Sequence, residues 1–277
     1  MPELPEVETI RRALLKALPG RKITETNVRE SRLRWPVDVE KVNRMVTDQV
    51  VKTVERRAKY LLIQLSNESS LVVHLGMSGQ LLLLTDSRPL QKHDHVIFHF
   101  DDRSELRFRD PRRFGMVDVV SSAALTRYPR FAGLGFEPLD VHVTHDILFQ
   151  KAKRSKKPIK NLLMDASFIV GVGNIYANEA LFYAKIHPLT PSNKLGETDW
   201  QRLLEKLRDV LTQAIQEGGT TLNDFVNSNG ETGYFQLSLA VYGRSGETCA
   251  NCGKTIQRIV QAGRSSFFCA TCQRLKS

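Results

Sequence analysis

Residues 59–85 read KYLLIQLSNESSLVVHLGMSGQLLLLT and indicate that the N-terminal half of the chain is rich in β-strands. The apolar runs are short, rich in Leu, Val and Ile, and separated by small or turn-forming residues, which is the pattern of buried strands. The same pattern extends over a longer range, from KITETNV at 22–28 to GMVDVV at 115–120. We therefore predict a β-sandwich or barrel over residues 22–120.

Helical periodicity lies on both sides of this β-rich region. Before it, Val7, Ile10, Leu14 and Leu18 fall on one stripe of a helix that begins near Pro5. After residue 121, amphipathic segments follow at 144–154, 158–167, 174–185 and 198–217. The predicted fold class is α+β, with a helix plus β-sandwich at 1–120, a helical domain at 121–233 and a cysteine-bearing hairpin at 234–277.

The charge of the chain favours a polyanionic partner. Forty Lys and Arg against thirty Asp and Glu leave a formal net charge of +10. Nucleic acid is the first expectation and an anionic membrane surface the second. No apolar run approaches the roughly 20 residues of a transmembrane helix, and the first residues are acidic where a signal peptide would be basic and then apolar. We expect a cytoplasmic protein without a membrane partner.

The four cysteines form two CxxC pairs within the last 29 residues. Sixteen residues separate the pair Cys249 and Cys252 from the pair Cys269 and Cys272. This spacing is typical of a tetrahedral zinc site, and four thiolate ligands leave no position for a reacting water. The cysteines therefore predict one structural Zn²⁺, with two disulfides or a redox CxxC as the alternatives.

The N-terminus carries a candidate nucleophile. If the initiator methionine is removed, Pro2 supplies a secondary α-amine, whose pKa of about 7.7–8.0 leaves a useful fraction unprotonated near neutral pH. Attack on an aldehyde-like carbon would give an iminium cation, and Glu3 and Glu6 are close enough in sequence to move protons or to stabilise that cation. The alternative is that these residues only form a favourable helix start.

Longer motifs distinguish these alternatives. The opening PELPEVETIRR resembles the N-terminal signature of the formamidopyrimidine-DNA glycosylase family, which includes the bacterial 8-oxoguanine DNA glycosylases. Further segments resemble the same family in the same order along essentially the whole chain. They are RLRWP at 32–36, RRAKYL at 56–61, HLGMSG at 74–79, KHDH at 92–95, RDPRRFG at 109–115, LGFEPL at 134–139, VGVGNIYANEAL at 170–181, GGTTLNDFV at 218–226 and VYGRSGETCANCG at 241–253.

The resemblance implies an enzyme that excises oxidised or ring-opened purines and cleaves the resulting abasic site in base excision repair. It implies a helix on a β-sandwich, a helix-two-turn-helix domain and a zinc-finger β-hairpin, with DNA in the cleft between the domains. Pro2 would be the Schiff-base nucleophile, Glu3 an acid and Glu6 its support. Lys59 would approach the phosphate and the active site, and Arg264 would grip the flanking phosphates and assist the final elimination.

The resemblance also implies a set of DNA contacts. Met77, Arg112 and Phe114 match the family's trio that fills the space left by the extruded base, with Arg112 reading the orphaned cytosine. Asn174 would hold a phosphate. Further DNA contacts are predicted at His74, His93, Lys160 and Tyr242.

The sequence departs from the family pattern in two places. Ser265-Ser266 replaces a small residue followed by Thr, and the segment NSNGETGYF at 227–235 lacks a lysine before its second glycine. Two alternatives stay open, an endonuclease VIII-type enzyme acting on oxidised pyrimidines and a non-catalytic zinc-finger DNA-binding protein. We expect a monomer acting on double-stranded DNA in the bacterial cytoplasm, associated with the nucleoid.

Overall fold

The computed structural model of the chain describes residues 2–86, 88–218 and 239–276. Within this range the chain forms two compact units, one built on residues 2–132 and the other on residues 133–217 and 239–276. The predicted segment NSNGETGYF, and GGTTLNDFV apart from Gly218, lie outside the described residues. In the described part of the chain, no helix combines the length and the apolar character that a membrane crossing requires.

The first unit is a β-sandwich with a helix packed on one of its sheets, as predicted. One antiparallel sheet has the strand order β1-β6-β7-β5 and the other β2-β3-β4-β8. Helix α1 (Leu4–Ala17) contacts β2 and β3, because its apolar stripe, including Val7, Leu14 and Leu18, is fully buried in the core. The strands are β1 (Ile23–Val28), β2 (Val51–Arg57), β3 (Tyr60–Leu65), β4 (Ser69–His74), β5 (Gln80–Leu84), β6 (Asp94–Phe100), β7 (Glu105–Arg109) and β8 (Met116–Ser121).

One helix lies inside the range predicted to contain only strands. Helix α2 (Val39–Val46) begins after Asp38, whose carboxylate accepts a hydrogen bond from the backbone N of Lys41. Val42 and Val46, one turn apart, are fully buried. The N-cap and the i, i+4 spacing of valines are ordinary helix signals, but they are short and lie in a region rich in β-branched residues.

The second unit combines the predicted helices with the cysteine-bearing hairpin, which the sequence had indicated as a separate domain. The helices are α3 (His145–Ala152), α4 (Ile159–Leu163), α5 (Asn174–Tyr183) and α6 (Glu197–Gln216). The core between them contains Tyr176, Trp200 and Leu211, all fully buried. Helix α6 begins where the Asp199 carboxylate accepts a hydrogen bond from the backbone N of Gly196.

The hairpin, called here the finger hairpin, consists of β9 (Gln257–Gln261) and β10 (Arg264–Phe268) in antiparallel register. Its two turn residues, Ala262 and Gly263, both have positive φ, which matches the twist of a tight two-residue turn. A small apolar cluster joins the hairpin to α5, because Phe182 packs with Ile256 and Phe267. The finger hairpin is therefore part of the same unit as the helices.

Candidate active site

The start of α1 holds the predicted nucleophile beside two buried carboxyl groups. Pro2 is half-buried and precedes the helix, whereas Glu3 and Glu6 are 4% and 3% exposed. The Oε2 atom of Glu6 accepts a hydrogen bond from the backbone N of Glu3 at 2.8 Å. Glu6 thus fixes the backbone on which Pro2 and Glu3 are placed.

Lys59 lies in the turn between β2 and β3, and an ion pair connects this hairpin to α1. Arg56 Nε donates to Glu8 Oε2 at 3.0 Å, and Arg56 Nη1 donates to the carbonyl oxygen of Ala58 at 2.9 Å. Ala58 has φ +53°, so the turn is held in a left-handed conformation. Glu8 and Arg56 therefore position the residue that precedes Lys59.

Glu8 is the centre of a charged cluster on α1. Its carboxylate also accepts hydrogen bonds from Arg11 and Arg12. Burial opposes ionisation of Glu8, but the hydrogen bonds from Arg11 and Arg56 outweigh it and hold the pKa of Glu8 below its ordinary value. The ionised Glu8 therefore links helix α1 to strand β2 through Arg56.

His74 is an uncharged histidine at the end of β4. Its Nδ1 accepts a hydrogen bond from the backbone N of Gly76 at 3.0 Å, so the proton of the neutral ring belongs on Nε2. Burial, together with the positive charges of Lys59 and Arg34, lowers the pKa of His74 to about 4. The ring of Tyr60 lies 4.7 Å away. Near neutral pH His74 is therefore uncharged, with its proton on Nε2.

The three predicted space-filling residues lie on two adjoining loops of the first unit. Met77, in the loop between β4 and β5, is 42% exposed, and Phe114, in the loop between β7 and β8, is 38% exposed. The guanidinium carbon of the exposed Arg112 lies 4.8 Å from the centroid of the Phe114 ring. We call residues 75–79 and 110–115 the wedge loops.

His93 lies close to the base of the second wedge loop. Its backbone carbonyl oxygen accepts a hydrogen bond from the N of Asp110, and its ring lies 5.8 Å from that of His95. The Nδ1 atom of His93 is buried and has no hydrogen-bond partner within the described ranges. The structure thus places His93 beside the wedge loops.

In the second unit, Asn174 and Lys160 converge on the finger hairpin. Asn174 Nδ2 and Lys160 Nζ both donate to the carbonyl oxygen of Ser265, at 3.1 and 2.8 Å. Lys160 Nζ also donates to Ser266 Oγ at 2.7 Å, and this lysine is only 1% exposed. The side chain predicted to face a phosphate is instead buried against the hairpin, because its ammonium group satisfies hairpin oxygens.

Arg264 and Tyr242 lie on the hairpin side of this arrangement. Arg264 is exposed directly after the hairpin turn, and it lines a concavity of about 240 Å³ together with Lys160 and Met164. Tyr242 is half-buried, with its ring 5.2 Å from that of Phe267. The exposed guanidinium of Arg264 at this concavity is suited to contact a phosphate group.

Sequence reasoning missed the residue that holds Tyr242. The buried carboxylate of Glu179 accepts hydrogen bonds from three consecutive backbone N atoms, those of Ala240, Val241 and Tyr242, at 2.7 to 3.0 Å. Glu179 lies within the quoted VGVGNIYANEAL motif, but its partners are about sixty residues away in the chain. Nothing in the local sequence identifies them.

The four cysteines are arranged as a zinc site. Their Sγ atoms all lie within 4.8 Å of one another, with 3.4 Å between Cys252 and Cys269 and 3.9 Å between Cys249 and Cys272. A tetrahedral ion with Zn–S bonds of about 2.3 Å requires sulfurs about 3.8 Å apart. The residues therefore fit one structural Zn²⁺, and all four positions of the ion would be filled by thiolates.

Models of known families match three consecutive parts of the chain. They are the formamidopyrimidine-DNA glycosylase N-terminal domain at residues 1–117, the helix-two-turn-helix domain of the same enzymes at 134–226, and a zinc finger found in these enzymes and in isoleucyl-tRNA synthetase at 246–275. The chain belongs to the formamidopyrimidine-DNA glycosylase family. It is therefore a DNA repair glycosylase with one structural zinc ion.

Relatives in this family are similar over their full length. The formamidopyrimidine-DNA glycosylase of Thiobacillus denitrificans is 47% identical, with 99% of this chain and 100% of that protein covered. That of Cupriavidus pinatubonensis is 45% identical with the same coverage. The family resemblance inferred from the motifs is confirmed.

Solved structures of the Lactococcus lactis glycosylase of this family share the fold. One is a complex with DNA containing N7-benzyl-Fapy-dG, with a TM-score of 0.89, 35% identity, and coverage of 99% of this chain and 100% of that chain. A second contains abasic-site DNA, with a TM-score of 0.89, 35% identity, and coverage of 98% and 99%. A third contains DNA with an oxidised pyrimidine, with the same TM-score and identity and coverage of 99% and 100%.

Proposed function

We propose that this glycosylase excises oxidised or ring-opened purines from duplex DNA and then cleaves the abasic strand, with the amine of Pro2 as nucleophile. The start of α1 carries the proposal, because a half-buried proline lies beside the buried carboxyl group of Glu3. A carboxyl group shielded from water next to a nucleophilic amine is suited to moving a proton at the reacting centre.

The proposed reaction proceeds through an iminium ion. With the initiator methionine removed, the nitrogen of Pro2 attacks the sugar carbon C1′ and the bond to the base breaks. The bonding electron pair leaves with the base. The nitrogen of Pro2 loses its proton, and its lone pair forms the C1′=N⁺ bond of the iminium ion as the C1′–O4′ bond breaks and the sugar ring opens. Glu3 supplies the proton that the departing base or the freed O4′ takes up. The iminium ion then accepts electrons when C2′ loses a proton, and the 3′ phosphate departs. Lys59 and Arg264 contact the phosphates and assist these eliminations.

Base extrusion is assigned to the wedge loops. A base within a duplex cannot be attacked at its sugar carbon until it leaves the stack. Phe114 and Met77 are exposed apolar side chains that fill the gap, and Arg112 hydrogen-bonds the orphaned base. His74, His93, Asn174 and Tyr242 contribute to binding of the DNA backbone by a single copy of the chain. Lys160 supports the finger hairpin.

Purine lesions are favoured over pyrimidine lesions. The residues PELPEVE at the N-terminus and the trio Met77, Arg112 and Phe114 follow the purine enzyme rather than the endonuclease VIII type. The L. lactis relative has been crystallised with both a Fapy-dG derivative and an oxidised pyrimidine in DNA. A test of substrate range therefore includes both classes of lesion.

Trapping with borohydride on oligonucleotides of defined lesion tests the proposal. Reduction should link the protein covalently to the DNA, and peptide mapping should place the link at residue 2. A Pro2→Gly variant should lose most lyase activity. A link on a lysine would refute the assignment to Pro2, and binding without any cleavage would support the non-catalytic alternative. Intact mass establishes in parallel whether the chain begins at Pro2.

A further inference from the structure

The carboxylate of Asp110 bonds to both wedge loops at once. Asp110 follows β7 and is fully buried. Its Oδ1 accepts a hydrogen bond from Ser78 Oγ at 2.6 Å, which reaches the first loop. Its Oδ2 accepts one from the backbone N of Gly115 at 2.7 Å, and Oδ1 also lies 3.3 Å from the N of Arg112, both in the second loop.

The two loops are also in close backbone contact. A Cβ atom added to Gly76 would lie 2.4 Å from the carbonyl carbon of Phe114, and one added to Gly115 would lie 2.8 Å from the carbonyl oxygen of His74, which directly precedes the first loop. Only glycine permits this approach. The loops therefore form a single packed feature, with Asp110 at its centre.

Further bonds fix the second loop between Arg112 and Phe114. Arg113 has φ +56°, and its backbone N donates to the carbonyl oxygen of Asp110. Its carbonyl oxygen accepts a hydrogen bond from the N of Arg34 at 2.8 Å, and its guanidinium pairs with Glu30 at 3.1 Å. Arg113 is thus turned away to Glu30 while Arg112 lies over the Phe114 ring.

We infer that Asp110 is a positioning residue for base extrusion, which orders the wedge loops before DNA is bound. This inference rests on the proposed function, since it assumes that Met77, Arg112 and Phe114 enter the duplex. Ordering a loop lowers the conformational entropy of each of its residues. If the loops are already ordered in the free protein, this entropy is not lost when they enter the duplex, and insertion is more favourable. Because Asp110 is fully buried, we assign its effect to the loops that it bonds and not to direct contact with DNA.

The carboxylate is specifically suited to this position. Asp110 faces one hydroxyl and two backbone N–H groups, all of which donate, and a carboxylate only accepts. Asparagine has nearly the same shape but offers one accepting oxygen and one donating NH₂ group. In Asp110→Asn the NH₂ group therefore faces a backbone N–H of the second loop, that of Gly115 or that of Arg112 according to how the amide is turned, and that hydrogen bond is lost.

Asp110→Asn can be compared with Asp118→Asn. Asp118 lies on β8, three residues beyond the wedge loop, and accepts hydrogen bonds from Lys41 Nζ and Tyr128 OH. Two reactions are measured for each variant: excision of an oxidised purine in duplex DNA opposite each of the four bases, and cleavage of a single-stranded abasic oligonucleotide, which requires no extrusion.

The expected result is selective. Loss of a buried hydrogen-bond partner costs about 1–3 kcal/mol, so Asp110→Asn should slow duplex excision by roughly 5- to 150-fold. It should also reduce the preference for cytosine opposite the lesion, while single-strand cleavage stays within about twofold of wild type. Asp118→Asn should leave the ratio of the two reactions unchanged. Ser78→Ala, which removes one of the three bonds, should give a smaller loss of the same kind.

Equal losses on duplex and single-stranded DNA, or full retention of the cytosine preference in Asp110→Asn, would overturn the inference. If Asp110→Asn fails to fold, the same readouts on Ser78→Ala decide. Failure of the wild-type protein to excise the lesion or to be trapped by borohydride would instead remove the proposed function itself.

Discussion

Arg56 Nε lies 3.0 Å from Glu8 Oε2, and this ion pair joins the helix that follows Pro2 to the hairpin that carries Lys59. Both side chains are nearly buried, with 11% and 10% of their surface exposed. The Glu8–Arg56 pair therefore holds together the two segments that carry Pro2 and Lys59. Neither Glu8 nor Arg56 has a role in the proposed reaction.

Glu8→Gln should weaken both stability and lyase activity. The substitution removes the charge of Glu8 from beside Arg56 in a poorly solvated position, and breaking such a pair costs about 3 kcal/mol. Urea unfolding and cleavage of abasic DNA measure the two effects. Arg12→Ala is the matched control, because Arg12 bonds the same carboxylate but is 53% exposed and should contribute less than about 1 kcal/mol. Equal effects of the two substitutions would contradict this role of the Glu8–Arg56 pair.

Removing zinc should abolish stable DNA binding. The finger hairpin is small and depends on metal binding for part of its folding free energy. Cys249→Ser and Cys269→Ser should each release the ion, measured as metal content per chain, and should eliminate binding to lesion DNA. A metal-free protein that binds and cuts normally would show that zinc has no such role.

Arg264 and Arg112 should respond differently to salt and to the opposite base. A protein that makes one phosphate contact fewer releases about one counterion fewer when it binds DNA. Arg264→Ala should therefore reduce the magnitude of the slope of log K against log salt by roughly one. Arg112→Ala should instead reduce the preference for cytosine opposite the lesion by about 1–3 kcal/mol. Binding across a salt series and excision opposite all four bases distinguish the two. Equal loss opposite every base, with a changed salt slope, would make Arg112 an ordinary phosphate contact.

Lys160→Met should act through the finger hairpin and not through a phosphate. Because Lys160 Nζ bonds Ser265 O and Ser266 Oγ in the interior, its loss should destabilise the protein by about 2 kcal/mol and leave the salt slope unchanged. Urea unfolding and the salt series test this. Lys157→Met, at an exposed lysine paired with Asp165, should change stability by less than about 1 kcal/mol. If the slope of log K against log salt falls by one in Lys160→Met, the result would support the phosphate contact predicted for Lys160 from the sequence.

His74 should make the folded protein less stable in mild acid. Its pKa is about 4 in the folded chain and about 6.5 when unfolded, so between these values only the unfolded chain takes up the proton. Its contribution is complete above pH 6.5 and is lost as the pH falls towards 4, by about 2 kcal/mol between pH 7 and pH 5. In His74→Asn, which keeps an acceptor for Gly76 but does not titrate, urea unfolding should show a correspondingly smaller loss. An unchanged loss would assign the acid sensitivity elsewhere.

Periodic patterns predicted most of the architecture, because strand alternation and helical stripes are local properties of the sequence. Helix α2 was missed since eight residues give too short a pattern to outweigh its β-branched valines. Paired cysteine spacing predicted the zinc site for the same local reason. Glu8, Asp110 and Glu179 were missed as organising residues because each has a decisive partner far along the chain, namely Arg56, Ser78 and the backbone of residues 240–242. The local sequence does not show whether an Asp or Glu side chain is buried and hydrogen-bonded or exposed on the surface.

The way α5 is shared limits how this protein can be recombined with its relatives. One face of the helix, with Ala177 and Leu181, belongs to the helical core, whereas Phe182 packs against the hairpin beside the cysteines. Gln273, beyond the last cysteine, donates from Nε2 to the carbonyl oxygen of Ile186. A zinc finger transplanted from another family member would therefore pack against side chains of α5 that do not match it. The residues of α5 and of the turn after it would have to be exchanged together with the finger.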